Sequence, residues 1–573
     1  MSNALDNAYA ELLKPGSDYE VQDIEIDGVK QTVFANAPTT LHDVYRDASV
    51  KFGDKEFLVY QDQRWTFGEA YLQSTKLANQ LSKEFGVQKG DRVAIACRNY
   101  PELVFALMAT HGLGAISVLM NAWWTGAELD YGLKDCGARV FIADVERLER
   151  AAPHLKELDI GVISIRTDES FGLTLSKIED LIATENNTEM PNVEMEADDT
   201  ALIMYTSGTT GNPKGAFSSH RNIIGTLLSF ELSAYAKARS LPKKPKPAPS
   251  STPVKPKVKL QSSTLIAVPL FHVTGLIVQL FLSYRVARKV SLIYKWDPEV
   301  ALDIIEKEKV TAFTGVPTMS RELIEHPSWD LRDTSSLKDL ATGGAPRPAE
   351  QVKQFTKKAS KIRPGQGYGL TETCGLGASI NAEDYTARPT SVGKPSYPLV
   401  TMKIVDESGQ SLPSGERGEI CIKSSTVIKG YWNMPEATKK EFVGGWFFSG
   451  DIGYLDEEGY LFIVDRAKEI IIRGGENISC SEVESAIYEH PDVIEACVFG
   501  VPHDRLGEAV ATMIYAQPGS SLADKSVREH LVDRLSKFKI PEHIWFTNEQ
   551  LTRGATGKIQ KRDIKAKAIE EYL

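Results

Sequence analysis

The chain has 573 residues, which at about 150 residues per domain predicts three or four structural units. Hydrophobic residues make up 42% and charged residues 25%, which excludes a disordered chain, a collagen-like fibre and a coiled-coil rod. Lys plus Arg number 66 against 77 Asp plus Glu, and a net charge of −11 makes a poor general nucleic-acid binder. The start, Met-Ser-Asn-Ala-Leu-Asp, has neither a basic opening nor an apolar run, so no secretory signal is expected. In the first 200 residues strand-like and helix-like runs alternate. Residues 92–97 (Arg-Val-Ala-Ile-Ala-Cys) read as a β run, and residues 101–113 as a helix with Pro101 at its start and Gly114 after its end. Residues 115–120 read as a second strand, which completes a βαβ unit and implies a parallel sheet. The most apolar long stretch, residues 104–120, carries His111, Gly112, Gly114 and Ser117 and is shorter than the ~20 residues of a spanning helix. Residues 139–143 and 161–165 add further strands, so the body is α/β.

Residues 237–259 break the pattern, with eight basic residues, six prolines and no acid. Such a run buries no core and predicts a mobile or polyproline-like loop. It reads either as an electrostatic dock for an acidic surface such as anionic lipid, or as a tolerated surface insertion. Toward the C-terminus, residues 465–475 (Asp-Arg-Ala-Lys-Glu-Ile-Ile-Ile-Arg-Gly-Gly) join a charged patch to a β run and two glycines. A domain boundary is placed at Lys468. The expectation is a large multi-subdomain α/β N-terminal domain, 1–467, and a small α+β C-terminal domain, 468–573. The six cysteines, Cys97, Cys136, Cys374, Cys421, Cys480 and Cys497, form no C-x-x-C pair. Neither a zinc site nor a disulfide framework is signalled, and a reducing, cytoplasmic setting is expected.

The strongest chemical signal is residues 205–215, Tyr-Thr-Ser-Gly-Thr-Thr-Gly-Asn-Pro-Lys-Gly, after the apolar residues 201–204. Gly208, Gly211 and Gly215 let backbone N–H groups turn toward an anion. Thr206, Ser207, Thr209 and Thr210 can donate to phosphate oxygens, and Lys214 supplies a cation. The spacing does not meet the Walker A pattern, because Gly208 and Gly211 are too close and Gly215 follows the lysine.

This run resembles the phosphate loop of the AMP-forming acyl-adenylating enzymes, the superfamily of acyl-CoA synthetases, peptide-synthetase adenylation domains and beetle luciferases. Further motifs follow in the order of that superfamily: residues 368–373 (Tyr-Gly-Leu-Thr-Glu-Thr), Ser449-Gly450-Asp451, Asp465-Arg466-Ala467-Lys468 and Gly557-Lys558. The likeness covers the chain apart from residues 237–259 and about the first 35. Tyr368 offers a ring on which adenine can stack, and Thr371 a hydroxyl for the α-phosphate. Glu372 is a carboxylate of the kind that holds Mg²⁺ beside a polyphosphate, although a Thr-Glu-Thr triplet alone is more often a helix cap. Asp451, expected in a turn, can take both ribose hydroxyls. Arg466, by itself an ordinary surface ion-pairing residue, matches a second ribose or phosphate contact by resemblance.

Lys558 follows Gly554 and Gly557 in a loop expected to be mobile; alone it would be one more lysine of a basic tail. The resemblance makes it the lysine that reaches from the small domain to bridge the substrate carboxylate and the α-phosphate, where negative charge accumulates. It also implies that the small domain rotates between two half-reactions, with Lys468 at the hinge and Gly475, in Gly474-Gly475-Glu476-Asn477, swinging in to line a pantetheine tunnel. His272, alone more often a satisfied core histidine, then stands at the mouth between acyl pocket and tunnel. Gly343-Gly344-Ala345 becomes a small-residue floor, with Gly344 and Ala345 beside the nucleotide.

The implied reaction takes a carboxylate, ATP and Mg²⁺ to an acyl-adenylate and pyrophosphate, then passes the acyl group to a thiol with release of AMP. Fifteen residues follow Lys558, too few for a tethered carrier, so free CoA is the expected acceptor. Residues 271–280 are apolar apart from His272, Thr274 and Gln279. A medium- to long-chain fatty acid is therefore expected first, and an aryl or short sulfur-containing acid second. An adenylation enzyme loading a separate carrier protein is the alternative within the superfamily. A non-catalytic docking protein is the alternative outside it. A homodimer is also entertained.

Overall fold

The computed structural model describes residues 2–206, 213–241, 260–345 and 347–573. Two large sheets make the body. The first orders its strands as Gly430–Tyr431, Lys214–Ser219, Thr200–Thr206, Ile116–Leu119, Arg92–Ala96, Val140–Asp144, Gly161–Ile165 and Ser176–Lys177. Its neighbours are parallel from Thr200–Thr206 onward, while Lys214–Ser219 runs antiparallel to both of its own neighbours. The expected βαβ unit is present, with the helix Pro101–Gly112 between the strands Arg92–Ala96 and Ile116–Leu119. Pro101 occupies the first helical position, where its missing N–H costs nothing, and the whole helix is buried.

The second sheet has nine strands, with a parallel centre that includes Ser263–Ile266, Ala312–Gly315, Asp339–Gly343 and Arg363–Tyr368. Thr342 pairs with Gln366 and Gly343 with Gly367, so Gly343 and Tyr368 mark the carboxyl ends of adjacent strands. Ligands in open α/β sheets collect at such ends. One apolar core runs through the body from Ala8 to Leu461.

A smaller antiparallel sheet contains Gly418–Lys423, Trp446–Leu455 and Leu461–Arg466. The last sheet is built wholly from Ile471–Arg473, Glu476–Ile478, Val493–His503, Gly507–Ala516 and His543–Thr547. Two apolar clusters of its own pack on it.

One expectation is corrected. Residues 237–240 are not loop but the last turn of the helix His220–Ser240. Ala236, Lys237, Ala238 and Arg239 are good helix formers, and the first proline comes only at residue 242. Residues 242–259 lie outside the described residues. All six cysteines are free thiols, and all are buried.

Candidate active site

Thr206 ends one strand and Lys214 begins the next, and the two face each other in antiparallel register. The Thr206 hydroxyl donates to the Lys214 carbonyl at 3.4 Å. The two feet of the expected phosphate loop therefore stand side by side. Ser207, Gly208, Thr209 and Thr210 lie outside the described residues.

Lys214 directs its ammonium to Glu441 Oε1 at 2.6 Å, and to the face of Tyr431, 4.5 Å from the ring centre. The Tyr431 hydroxyl donates to Glu441 Oε2 at 2.6 Å and lies 2.9 Å from Glu372 Oε1. Tyr431 reaches this place because the short strand Gly430–Tyr431 pairs with Lys214–Ser219. Glu372 sits on a single 3₁₀ turn, Thr371–Thr373, and its carbonyl accepts from Ile428 N–H at 2.9 Å. Burial pushes its carboxyl above the ordinary range, against the Tyr431 hydrogen bond. Among the described residues no three His, Cys, Asp or Glu side chains form a metal cluster. One buried carboxylate linked through Tyr431 to Lys214 fits Mg²⁺, which is held by one or two carboxylates together with substrate phosphates.

Tyr368, at the end of its strand, donates to Asp451 Oδ2 at 2.8 Å. Asp451 does not lie in a turn, as expected, but inside the strand Trp446–Leu455. The register against Gly418–Lys423 slips between Glu419 and Cys421, and Gly450 with φ +70° takes up the extra length as a bulge. The bulge aims Asp451 at Tyr368. Across the next strand pair Asp451 faces Arg466, with Nε 3.2 Å from Oδ1. Burial raises the Asp451 carboxyl, and the Arg466 cation opposes that rise.

Lys558 comes from a loop near the end of the chain. An antiparallel bridge between Arg553 and Ile559 closes a tight loop, in which Gly557 has φ +78° and Gly554 N–H donates to Lys558 O at 2.8 Å. Arg553 Nη1 donates to Gly557 O at 3.0 Å and also pairs with Glu495. From this loop the Lys558 side chain crosses to Gly344, which has φ +75°. Burial and the Arg466 cation push the Lys558 ammonium down to about 8, with Asp451 opposing. His272 accepts from Thr274 N–H through Nδ1 at 3.3 Å. Burial and the nearby Lys558 cation push the His272 ring down to about 3. Ala345 O accepts from Gln366 Nε2 at 3.1 Å. Thr371 lies one residue before Glu372 on the same turn.

The structure thus gathers His272, Gly344, Ala345, Tyr368, Asp451, Arg466 and Lys558, and connects Lys214 to Glu372. It does not bring Gly475 to them. Gly474 and Gly475, at φ +60° and +89°, form the exposed two-residue turn of a hairpin between Ile471–Arg473 and Glu476–Ile478. A side chain built on Gly475 would meet nothing within 4 Å. Lys468 lies in the exposed turn between Leu461–Arg466 and Ile471–Arg473.

Three contributors escaped the sequence reading. Tyr431 joins Lys214 through strand pairing, and Glu441 from the end of the helix Pro435–Glu441 that follows. The apolar residues after His272 form a π-helix, Thr274–Phe281, a rare conformation that often marks functional sites. A Cβ on Gly375, just past the Glu372 turn, would lie 3.0 Å from Val278 and 3.2 Å from Val273, so this wide helix packs directly on that turn.

No helix among the described residues is long and apolar enough to cross a membrane. Residues 45–432 match the AMP-binding enzyme model, and residues 482–558 the AMP-binding enzyme C-terminal domain. The chain is 33% identical over 560 residues to a long-chain-fatty-acid–CoA ligase of Bacillus subtilis, covering 93% of this chain and 95% of that one. It is 33% identical over 508 residues to a feruloyl-CoA synthase of an Amycolatopsis species, covering 87% and 93%. Among solved structures it resembles o-succinylbenzoate CoA synthetase of Bacillus subtilis in complex with its acyl-adenylate, with a TM-score of 0.76, 29% identity and coverage of 91% and 97%. With two matched domains that span most of its length, the chain belongs to the AMP-binding enzyme family and is an AMP-forming acid–CoA ligase of the acyl-CoA synthetase superfamily.

Proposed function

We propose that the protein activates an apolar carboxylic acid, first of all a medium- to long-chain fatty acid, and transfers it to CoA. The observation that carries the choice of acid is the wall beside Lys558. It begins at His272, which burial keeps neutral, and continues through Val273 and the π-helix with buried Leu276, Ile277, Leu280 and Phe281. Residues 273–281 bear no charge and, apart from Thr274 and Gln279, no polar side chain, which suits an acid with an apolar tail whose carboxylate lies near Lys558. An aryl acid is the second reading, supported by the feruloyl-CoA synthase relative.

In this reading Lys558 bridges carboxylate and α-phosphate, and its cation offsets the charge that builds as oxygen attacks phosphorus. Thr371 donates to that phosphate. Asp451 and Arg466 orient the ribose, and Tyr368, fixed by its bond to Asp451, carries the adenine on its face. Thr206, Ser207, Gly208, Thr209, Thr210 and Lys214 cradle the outer phosphates. Glu372 would hold Mg²⁺, which supplies charge neutralisation for the leaving pyrophosphate. Gly344 and Ala345 leave room for the reacting groups. The acyl-adenylate then meets the CoA thiol after the small domain turns about Lys468 and carries Gly475 inward. The basic residues 237–259 would contact an acidic surface, and deleting residues 242–259 should weaken binding to vesicles that contain phosphatidylserine.

The test is release of AMP and pyrophosphate with ATP, Mg²⁺ and a panel of fatty, aryl and short sulfur-containing acids, each with and without CoA. Turnover that requires both CoA and a fatty acid supports the reading. Turnover with aryl acids alone would move the protein to the second one. Multiple turnovers without CoA would make a carrier protein the acceptor to seek.

A further inference from the structure

Resting on that reading, we propose that Glu441 occupies the phosphate-binding lysine when the nucleotide is absent, so that ATP enters by exchange with a resident carboxylate. The contact is well defined. Glu441 Oε1 takes Lys214 Nζ at 2.6 Å, and Glu441 Oε2 takes the Tyr431 hydroxyl at 2.6 Å, so both carboxylate oxygens are engaged. Glu441 ends the short helix Pro435–Glu441, and Tyr431 lies on a strand paired with the one that Lys214 begins. Both partners of the ion pair remain partly open, with side-chain exposures of 22% for Lys214 and 29% for Glu441, so an arriving phosphate has access to the ammonium.

A phosphate and a carboxylate compete for the same donor, because each offers anionic oxygens at hydrogen-bond distance. The ammonium also rests 4.5 Å from the Tyr431 ring centre, a contact that needs no carboxylate. Removing the Glu441 charge therefore leaves Lys214 placed but unpaired. A triphosphate would then meet an unpaired cation, with Glu372, 2.9 Å from the Tyr431 hydroxyl, as the remaining carboxylate. A ligand's apparent affinity falls by the fraction of protein held in the non-binding arrangement, and Glu441 stabilises that arrangement.

The test is titration calorimetry of the full chain with Mg²⁺ and α,β-methylene ATP, with adenosine as a phosphate-free control. Glu441→Gln keeps a hydrogen-bond acceptor for Tyr431 and removes the charge. It should tighten the analogue roughly three- to tenfold at low salt, with the gain shrinking at high salt, and leave adenosine unchanged. Glu441→Ala should move in the same direction, and both variants should melt as the unaltered chain does. In a Lys214→Met background the same Glu441→Gln change should lose most of its effect. Unchanged or weaker analogue binding in both variants would overturn the exchange. An undiminished gain without Lys214 would overturn it too, since Glu441 would then act as a bare negative charge. Failure of the unaltered chain to bind the analogue would overturn the exchange together with the adenylating function. Normal binding with indifferent variants overturns the exchange alone.

Discussion

A side chain on Gly344 would enter the space that Lys558 fills: its Cβ would stand 3.0 Å from Lys558 Cε and 3.1 Å from Nζ. Gly344 also holds φ +75°, which L-residues rarely adopt. Gly344→Ala should therefore strain the backbone by about 1 kcal/mol and displace the lysine from its place beside the reacting groups. Acid-dependent pyrophosphate exchange should fall at least tenfold while α,β-methylene ATP still binds. Full exchange in this variant would show that Lys558 works from another position.

The Lys558 ammonium, pushed down to about 8, is charged below that pH and loses its proton as the pH rises through it. A reaction that needs the cation is complete on the acid side and fades on the alkaline side. The kcat/KM for ATP in the adenylation half-reaction, which reports the free enzyme, should fall with a midpoint near 8. Arg466→Gln removes a like charge and should move that midpoint upward; Asp451→Asn removes an opposing one and should move it downward. A rate that is flat from pH 7 to 9 in the unaltered chain would remove the assignment.

His272 behaves differently. Burial and the Lys558 cation hold it down to about 3, so its ring stays neutral through the physiological range. Any loss of activity between pH 7 and pH 5 should persist in His272→Gln. If the substitution abolishes that acid limb, the ring is charged in the working enzyme.

Asp451 ties Tyr368 to Arg466 through its two oxygens. Hydrogen bonds to a charged partner contribute roughly 1.5–3 kcal/mol each, so Asp451→Ala should weaken nucleotide binding about ten- to hundredfold. Asp451→Asn retains an acceptor for Tyr368 and should fall between. The comparison is made with ATP analogue affinity in all three chains. Equal affinities would mean that the carboxylate serves the strand pair and not the ribose.

What could be read from the sequence was local. The strand, helix and strand over residues 92–120 follow from apolar runs punctuated by Pro101 and Gly114, and the structure has them in place. Tyr368, Asp451, Arg466 and Lys558 could be picked out because their neighbours form recognisable strings. The remainder depended on pairing between distant segments. Asp451 reads as a turn residue after Ser449 and Gly450, and only a slip against Gly418–Lys423 turns that glycine into a bulge. Tyr431 and Glu441 reach Lys214 across more than two hundred residues of chain, with no local pattern to announce it. An apolar run such as residues 273–281 has the same texture in an α-helix as in a π-helix, so the wider coil beside His272 could not be foreseen. Gly475 belongs to its motif, yet its exposed hairpin places it outside the gathered site.

The six buried thiols bear on how the chemistry can be watched. A reagent such as dithiobis-nitrobenzoate colours accessible sulfhydryls, and this chain hides all of its own, while the coenzyme carries an open one. Disappearance of free thiol in a cuvette would then report coenzyme consumption almost without background from the protein. The enzyme should also tolerate an oxidising buffer that would silence a catalyst dependent on a surface cysteine.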